Sequence, residues 1–136
     1  MSRRGVTPDG TNPLAADLSD ESELDGVVDR AATMLGGGID ILVNNAGLGD
    51  RQPVADLTRS HFDQLVNLNL WAPLRLCQLT FPHLAAADDG VVVMVGSIDS
   101  ERPSPGAAVY GATKAGLGAV VVALAKEWMD LSLIHI

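Results

Sequence analysis

The sequence predicts an α/β fold built on a parallel sheet. Short aliphatic runs, Ile39 to Val43 and Val91 to Val95, have the length of strands, and stretches with apolar residues at helical spacing precede, separate and follow them. Strands alternating with helices of this length form βαβ units, whose strands run parallel. With 136 residues, 47% hydrophobic and 19% charged, the chain has the size and composition of one globular domain. Aromatics supply only 4% of it, so the expected core is aliphatic.

The elements follow in order. Met1 to Pro13 is rich in Gly and Pro and reads as loop. Leu14 to Ala16 lead into Asp17-Leu18-Ser19, the expected end of a short strand. Ser19 is the predicted N-cap of a first helix, with Asp20 and Glu21 in the first turn, where the helix dipole favours anions. Leu24, Val28, Ala31 and Leu35 supply its apolar face, and Gly36-Gly37-Gly38 stops it. Ile39 to Val43 is a strand broken by Asn44-Asn45-Ala46-Gly47. Thr58 is the predicted cap of a second helix whose one face carries Phe62, Leu65, Val66, Asn69 and Leu76, with a kink at Pro73. Gly90 opens Val91 to Val95, a run expected to be buried on both faces. A polar loop from Ser97 to Gly106 leads into a helix from Ala107 to Asp130. That helix is apolar nearly all round, which calls for cover on two sides, a partner subunit included.

Several function classes drop out. Nine basic against seventeen acidic side chains give a net charge of −8, so no basic stripe replaces the counterions of a nucleic acid. Cys77 is the only cysteine, which excludes an intramolecular disulfide and a cysteine metal cluster. It reads as an inert buried thiol. His61, His83 and His135 have no metal-binding spacing. Met1 to Gly10 lacks the apolar core of a secretory signal, and the run Ala115 to Ala125 is too short to span a bilayer. The expectation is a cytoplasmic protein with no membrane or nucleic-acid partner.

The chemistry lies in a few positions. Tyr110 and Lys114 are spaced one helical turn apart, which puts them on one face. An ammonium close to a phenol favours the phenolate, which suits the phenol to acid/base work. Ser97 lies just past the carboxyl end of the Val91 to Val95 strand, where ligands bind in open α/β sheets. Asn44-Asn45-Ala46-Gly47 ends the neighbouring strand on the same edge, with small residues that let a flat cofactor approach the backbone. Gly36-Gly37-Gly38 precedes a strand, so it caps a helix and does not cradle a phosphate. Leu48, Gly49, Asp50, Asp99, Ser100 and Glu101 follow the motif ends and are candidates for a substrate pocket.

Asn44-Asn45-Ala46-Gly47, Ser97 and Tyr110-x-x-x-Lys114 together resemble the motifs of the short-chain dehydrogenases/reductases, in order and at family spacing from about Ala15 to Asp130. The resemblance implies a partial Rossmann-type, doubly wound parallel sheet and an NAD(P)-dependent oxidoreductase that interconverts a carbonyl and an alcohol. It implies a catalytic set of Asn69, Ser97, Tyr110 and Lys114. Tyr110 would exchange the proton with the substrate oxygen, Lys114 would lower the tyrosine pKa and bind the nicotinamide ribose, and Ser97 would polarise the carbonyl. Asn69 would hold a water relaying protons from Lys114. Asn67 competes for this last role, but the family pattern fits Asn69 better. Cofactor contacts are implied at Asp17 and Leu18, near the adenine, and at Asn44, Ala46, Gly47, Tyr110 and Lys114. If Met1 lies at the end of the family's second strand, Arg3 and Arg4 select NADP over NAD through the 2′-phosphate; otherwise they are solvated arginines. Family members commonly form homo-dimers or homo-tetramers through their long helices.

The sequence also departs from the family. It contains no glycine-rich pyrophosphate turn, and residues 1–13 read as a remnant of strand two. Residues 131–136 match nothing in the family pattern and read as a foreign tail, so the expectation is a partial domain, inactive by itself. Two other readings stand beside the oxidoreductase: a nicotinamide-using epimerase or dehydratase, and a non-catalytic Rossmann binding module. The substrate is not legible.

Overall fold

The structure is a computed structural model that describes residues 11–129. Its sheet consists of two parallel strands, β1 (Ile41–Asn44) and β2 (Val91–Met94). Between them the chain crosses over through helix α2 (Arg59–Val66), a π-helical turn (Asn67–Trp71) and helix α3 (Ala72–Ala86). Helix α1 (Glu21–Met34) precedes β1, and helix α4 (Ala108–Glu127) follows β2. Ile41 pairs with Val91 and Asn44 with Met94, so the carboxyl ends of both strands lie side by side. The alternation expected of a parallel α/β sheet is thereby found, with each strand slightly shorter than or displaced from its apolar run.

No strand forms at Leu14 to Ser19, contrary to expectation. Ala16 and Leu18 are nevertheless buried, with exposed or half-buried residues between them. The segment has the period-two pattern of a strand, yet no described neighbour offers it a ladder. The cap of α1 also moves by one residue. Asp20, not Ser19, is the N-cap, and its carboxylate accepts the Ser22 N–H at 2.9 Å and the Ser22 hydroxyl at 2.7 Å. Ser19 instead donates its hydroxyl to Asp17 Oδ1 at 2.6 Å. The buried face of α1 is Leu24, Val27, Val28 and Ala32, and Leu35, expected on that face, is 62% exposed. The glycine stop forms as a Schellman ending: Gly37 N–H donates to Ala32 O at 2.8 Å and Gly36 N–H to Thr33 O at 3.3 Å. Gly36 and Gly37 take φ of 91° and 115°, which side chains disfavour.

Thr58 caps α2 as predicted, its hydroxyl accepting the His61 N–H at 3.2 Å. Phe62, placed on the apolar face by spacing, is 40% exposed. The irregularity assigned to Pro73 lies one turn earlier. Pro73 sits in the first turn of α3, where a missing N–H costs little, and the distortion is the π turn before it. There Ala72 N–H reaches back five residues to Asn67 O.

Leu42 and Val92, adjacent in register, face the helices. Val92 clusters with Cys77 and Leu84 of α3 and Leu124 of α4, while Leu18, Leu24, Val27, Ile39 and Leu76 form a second cluster between α1 and α3. No aromatic ring is among the buried residues, as the composition predicted. The other sheet face is open: Ile41 is 61% and Val43 56% exposed. The expectation that Val91 to Val95 is buried on both faces therefore fails. Among the described residues, helices cover one face of the sheet, and only Val92 of that run is buried.

Helix α4 buries Thr113, Lys114, Leu117, Val121 and Leu124 along one stripe, and Gly111 apart from it against the Asp99 loop. An 18-residue window of this 20-residue helix has a mean hydropathy of 1.6, so it is long and apolar enough to cross a membrane by length and composition alone, a test that the core helix of a soluble protein also passes.

Two outcomes follow for stability and reactivity. Gly36→Ala should cost about 1–2 kcal/mol, the strain of a side chain at positive φ, read as a lower urea midpoint at unchanged slope. Burial pushes the Cys77 thiol up to about 11, so a disulfide dye at pH 8 should label it far more slowly in the folded than in the denatured protein.

Candidate active site

Both strands end toward one region, and the loops that follow them meet the first turns of α4. After β1, Asn44-Asn45-Ala46-Gly47 leads into Leu48 and Gly49. The fully buried Asn69, inside the π turn, holds this loop from below. Its Oδ1 accepts the Leu48 N–H at 2.8 Å, and its Nδ2 donates to Leu48 O at 3.0 Å. A second Nδ2 hydrogen reaches the Thr113 hydroxyl of α4 at 3.3 Å. Three segments distant in sequence are thus joined by one amide.

Gly47 is the point of closest approach. A Cβ there would lie 3.2 Å from Asn69 Oδ1 and 3.7 Å from Lys114 Nζ. Gly49 lies beside the Tyr110 ring, where a Cβ would sit 3.8 Å from Cζ. Gly47, Asn69, Tyr110 and Lys114, each singled out in the sequence, are therefore neighbours. Lys114 is buried and donates from Nζ to the Val95 carbonyl at 2.7 Å, which ties α4 to the end of β2.

Ser97, half-buried, starts a 3-10 turn, Ile98–Ser100, directly after β2. Its Oγ accepts the Asp99 N–H at 3.2 Å, a bond that uses a lone pair and leaves the hydroxyl proton available. This turn is pressed onto the residue after Tyr110. A Cβ on Gly111 would lie 2.6 Å from the Asp99 carbonyl oxygen and 3.1 Å from Pro103 Cβ. Only glycine at position 111 lets the Ser97 turn and the Tyr110 turn approach so closely.

The remaining candidates divide. Leu18, Asn44 and Ala46 line one cavity of about 320 Å³ together with Leu42, Leu68 and Leu76. Asn44 turns its amide inward, donating weakly to Met94 Sδ at 3.3 Å and Cys77 Sγ at 3.6 Å, and its buried Oδ1 has no partner. Asp17 Oδ1 accepts the Ser19 N–H and hydroxyl. Arg3 and Arg4 lie outside the described residues, as do the 131–136 tail and His135. Of the pocket candidates, Ser100 lines a cavity of about 290 Å³ with Lys114, Met94 and Gly96. Asp99 is buried and braces its loop, Oδ1 accepting the Ser104 N–H at 2.8 Å and hydroxyl at 2.9 Å. These two bonds hold its carboxyl below the ordinary value of 3.8.

Sequence reasoning missed Thr113 and Gly111. Thr113 lies on the buried face of α4, four residues before Leu117 and eight before Val121, so a polar residue at that spacing was the available signal. No group of three or more His, Cys, Asp or Glu able to hold a metal ion occurs among the described residues.

A parallel βαβ unit with loops meeting the start of a helix at its strand ends is an arrangement of the Rossmann type. Comparison with known proteins agrees. The sequence model of the short chain dehydrogenase family matches residues 7–135, and the chain belongs to that family. It is 37% identical over 116 residues to 4-formylbenzenesulfonate dehydrogenase of Comamonas testosteroni, covering 85% of this chain and 46% of that protein. It is 39% identical over 129 residues to a fatty acyl-CoA reductase of Mycobacterium tuberculosis, covering 90% of this chain and 43% of the relative. Among solved structures, 3-ketoacyl-(acyl-carrier-protein) reductase from Brucella melitensis, complexed with NADH, superimposes with a TM-score of 0.84 at 32% identity, covering 93% of this chain and 54% of that one. A short chain dehydrogenase from Burkholderia cenocepacia, in complex with NADP, gives 0.82 at 34% identity over 89% of this chain and 50% of that one. The chain spans about half the length of these relatives.

Gly111→Ala should destabilise the fold by about 1–3 kcal/mol, the cost of forcing atoms into a filled space, measured by urea unfolding. The depressed Asp99 carboxyl contributes stability that is present above the ordinary carboxylate range and is lost as pH falls through its lowered value. Asp99→Asn should therefore lower stability at pH 7 and flatten its loss in acid, as read from melting temperatures between pH 7 and 3.

Proposed function

We propose that the protein is an NAD(P)-dependent oxidoreductase that interconverts a carbonyl and an alcohol on a small molecule. The observation that carries this reading is the gathering of Tyr110, Lys114, Asn69 and Gly47 at the carboxyl ends of β1 and β2, with Ser97 on the turn pressed against Gly111. Ligands of open parallel sheets bind at that edge.

A dinucleotide fits the chain's residues on one side of this gathering. The cavity lined by Leu18, Asn44 and Ala46 is apolar over most of its wall, as ligand sites commonly are. Leu18, Asn44, Ala46 and Gly47 would hold the cofactor, with Asp17 toward the adenine and Tyr110 and Lys114 toward the nicotinamide ribose. When bound, a nicotinamide supplies the hydride that reduction requires and accepts it in oxidation. NADP is the preferred form if Arg3 and Arg4 meet a 2′-phosphate; the relatives solved with NADP and with NADH support use of the nicotinamide class.

In the reductive direction Tyr110 gives its phenolic proton to the substrate oxygen, and Ser97 holds that oxygen with its hydroxyl. The Lys114 ammonium stabilises the phenolate left behind. Asn69, buried next to Gly47 and close to Lys114, would hold the water that relays protons from Lys114. Assembly as a homo-dimer or homo-tetramer is part of the same reading, supported by the apolar groove between α3 and α4 lined by Phe81, Val120, Leu124 and Trp128.

Tyr110→Phe in the full-length protein should lower turnover by about 10²–10⁴-fold, the contribution of a positioned acid/base, with dinucleotide affinity changed less than about twofold. Equal turnover in the variant across a panel of carbonyls would refute the assignment. Residues 1–136 by themselves contain no glycine-rich pyrophosphate turn, so their affinity for NAD(P) should be weak. A micromolar dissociation constant by nucleotide fluorescence would contradict that expectation.

A further inference from the structure

We propose that Thr113 is a positioning residue for Tyr110: its hydroxyl ties the first turn of α4 to the loop beside which the Tyr110 ring lies. The proposal rests on the oxidoreductase reading and adds to it a residue that makes no contact with substrate or cofactor.

The hydroxyl of Thr113 is used in both directions. It donates its one proton to the Tyr110 carbonyl at 2.7 Å, within the helix. Having spent that proton, it can meet Asn69 Nδ2 only as an acceptor, which it does at 3.3 Å. The same Nδ2 donates to Leu48 O, while Oδ1 of that amide accepts the Leu48 N–H. The path runs from the Tyr110 backbone through Thr113 and Asn69 to Leu48. It closes through Gly49, which lies beside the Tyr110 ring, where an added Cβ would be 3.8 Å from Cζ. Thr113 is 3% exposed and Asn69 fully buried, so water is a poor substitute for any bond in the loop.

The ring therefore lies between two segments that are fixed to each other. One is the helix that carries it; the other is the Leu48–Gly49 loop beside it. Leu48 alone satisfies one donor and the acceptor of the Asn69 amide, which orients that amide but leaves it unattached to α4. Thr113 supplies the attachment. Valine has nearly the same shape and the same branching, so Thr113→Val removes the hydroxyl with little change of packing. It strands one buried amide hydrogen on Asn69. Serine keeps the hydroxyl.

The test compares Thr113→Val with Thr113→Ser in the full-length protein, with Thr113→Ala in place of valine if that variant does not fold. Two measurements are made: steady-state kinetics, and hydrogen exchange at the Leu48 amide without ligand. Thr113→Val should lower kcat about tenfold, the effect of one unsatisfied buried donor, with KM for nucleotide and substrate within about twofold. Exchange at Leu48 should rise about tenfold, while amides of Leu117 and Val121, on the same stripe of α4, stay unchanged. Thr113→Ser should restore both readouts to within about twofold of the parent. Unchanged exchange at Leu48 in the valine variant overturns the proposal, as does a serine variant no better than valine. Faster exchange with unchanged kcat also overturns it, because the tie would then not serve Tyr110. Absence of turnover in the unmodified protein would count against the oxidoreductase reading, and the exchange measurement would then decide separately whether the hydroxyl holds the loop.

Discussion

An amide buried beyond the reach of water must find every partner inside the protein, and Asn69 finds its partners on two other segments. It sits in the crossover between the strands, grips the main chain of Leu48 after β1, and touches Thr113 on the helix after β2. Losing either Leu48 bond would leave a buried donor or acceptor unpaired, at a cost of about 1–3 kcal/mol for each group. The π turn that carries Asn69 is one consequence of this constraint. Widening the helix by a residue at Asn67–Trp71 changes the direction of the side chains beyond it, and such widened turns recur at functional sites.

The second constraint is steric. Gly111 marks a place where a Cβ would not fit, and Gly47 one where a Cβ would be tight. Gly47 admits the Asn69 amide and the Lys114 ammonium to the same spot. Gly111 lets the Ser97 turn lie against α4. The lysine then closes the arrangement by bonding the Val95 carbonyl at the end of β2. Position here comes from packing and buried hydrogen bonds within a small framework, and the chemistry is placed where the strand ends and helix starts meet.

Much of this was legible in the sequence because local rules govern it. The Thr58 cap, the glycine stop, the strand after Gly90 and the Tyr110–Lys114 spacing are set by residues within a few positions of one another, although the same rules put the α1 cap one residue early, at Ser19 instead of Asp20. The Thr58 cap and the Gly36–Gly37 ending came out as read. Longer-range partners override such rules, and those parts were less legible. Leu14 to Ser19 has strand periodicity but no ladder among the described residues. Val91 to Val95 has the composition of a doubly covered strand, yet one face is open. Asp99 follows a catalytic motif as a pocket residue would, but its carboxylate meets Ser104 and turns inward. The role of Thr113 depends on Asn69, 44 residues away in the chain, so no local pattern discloses it.

The central claim is that these residues form a site for proton exchange with a carbonyl oxygen, coupled to hydride exchange with a nicotinamide. The most direct measurement is isotope transfer in the full-length protein, using a nicotinamide dinucleotide deuterated at the reactive carbon and a panel of carbonyl compounds. One deuterium on the new carbinol carbon is expected for each dinucleotide oxidised. Oxidation without carbon-bound deuterium, or no oxidation with any carbonyl, would contradict it.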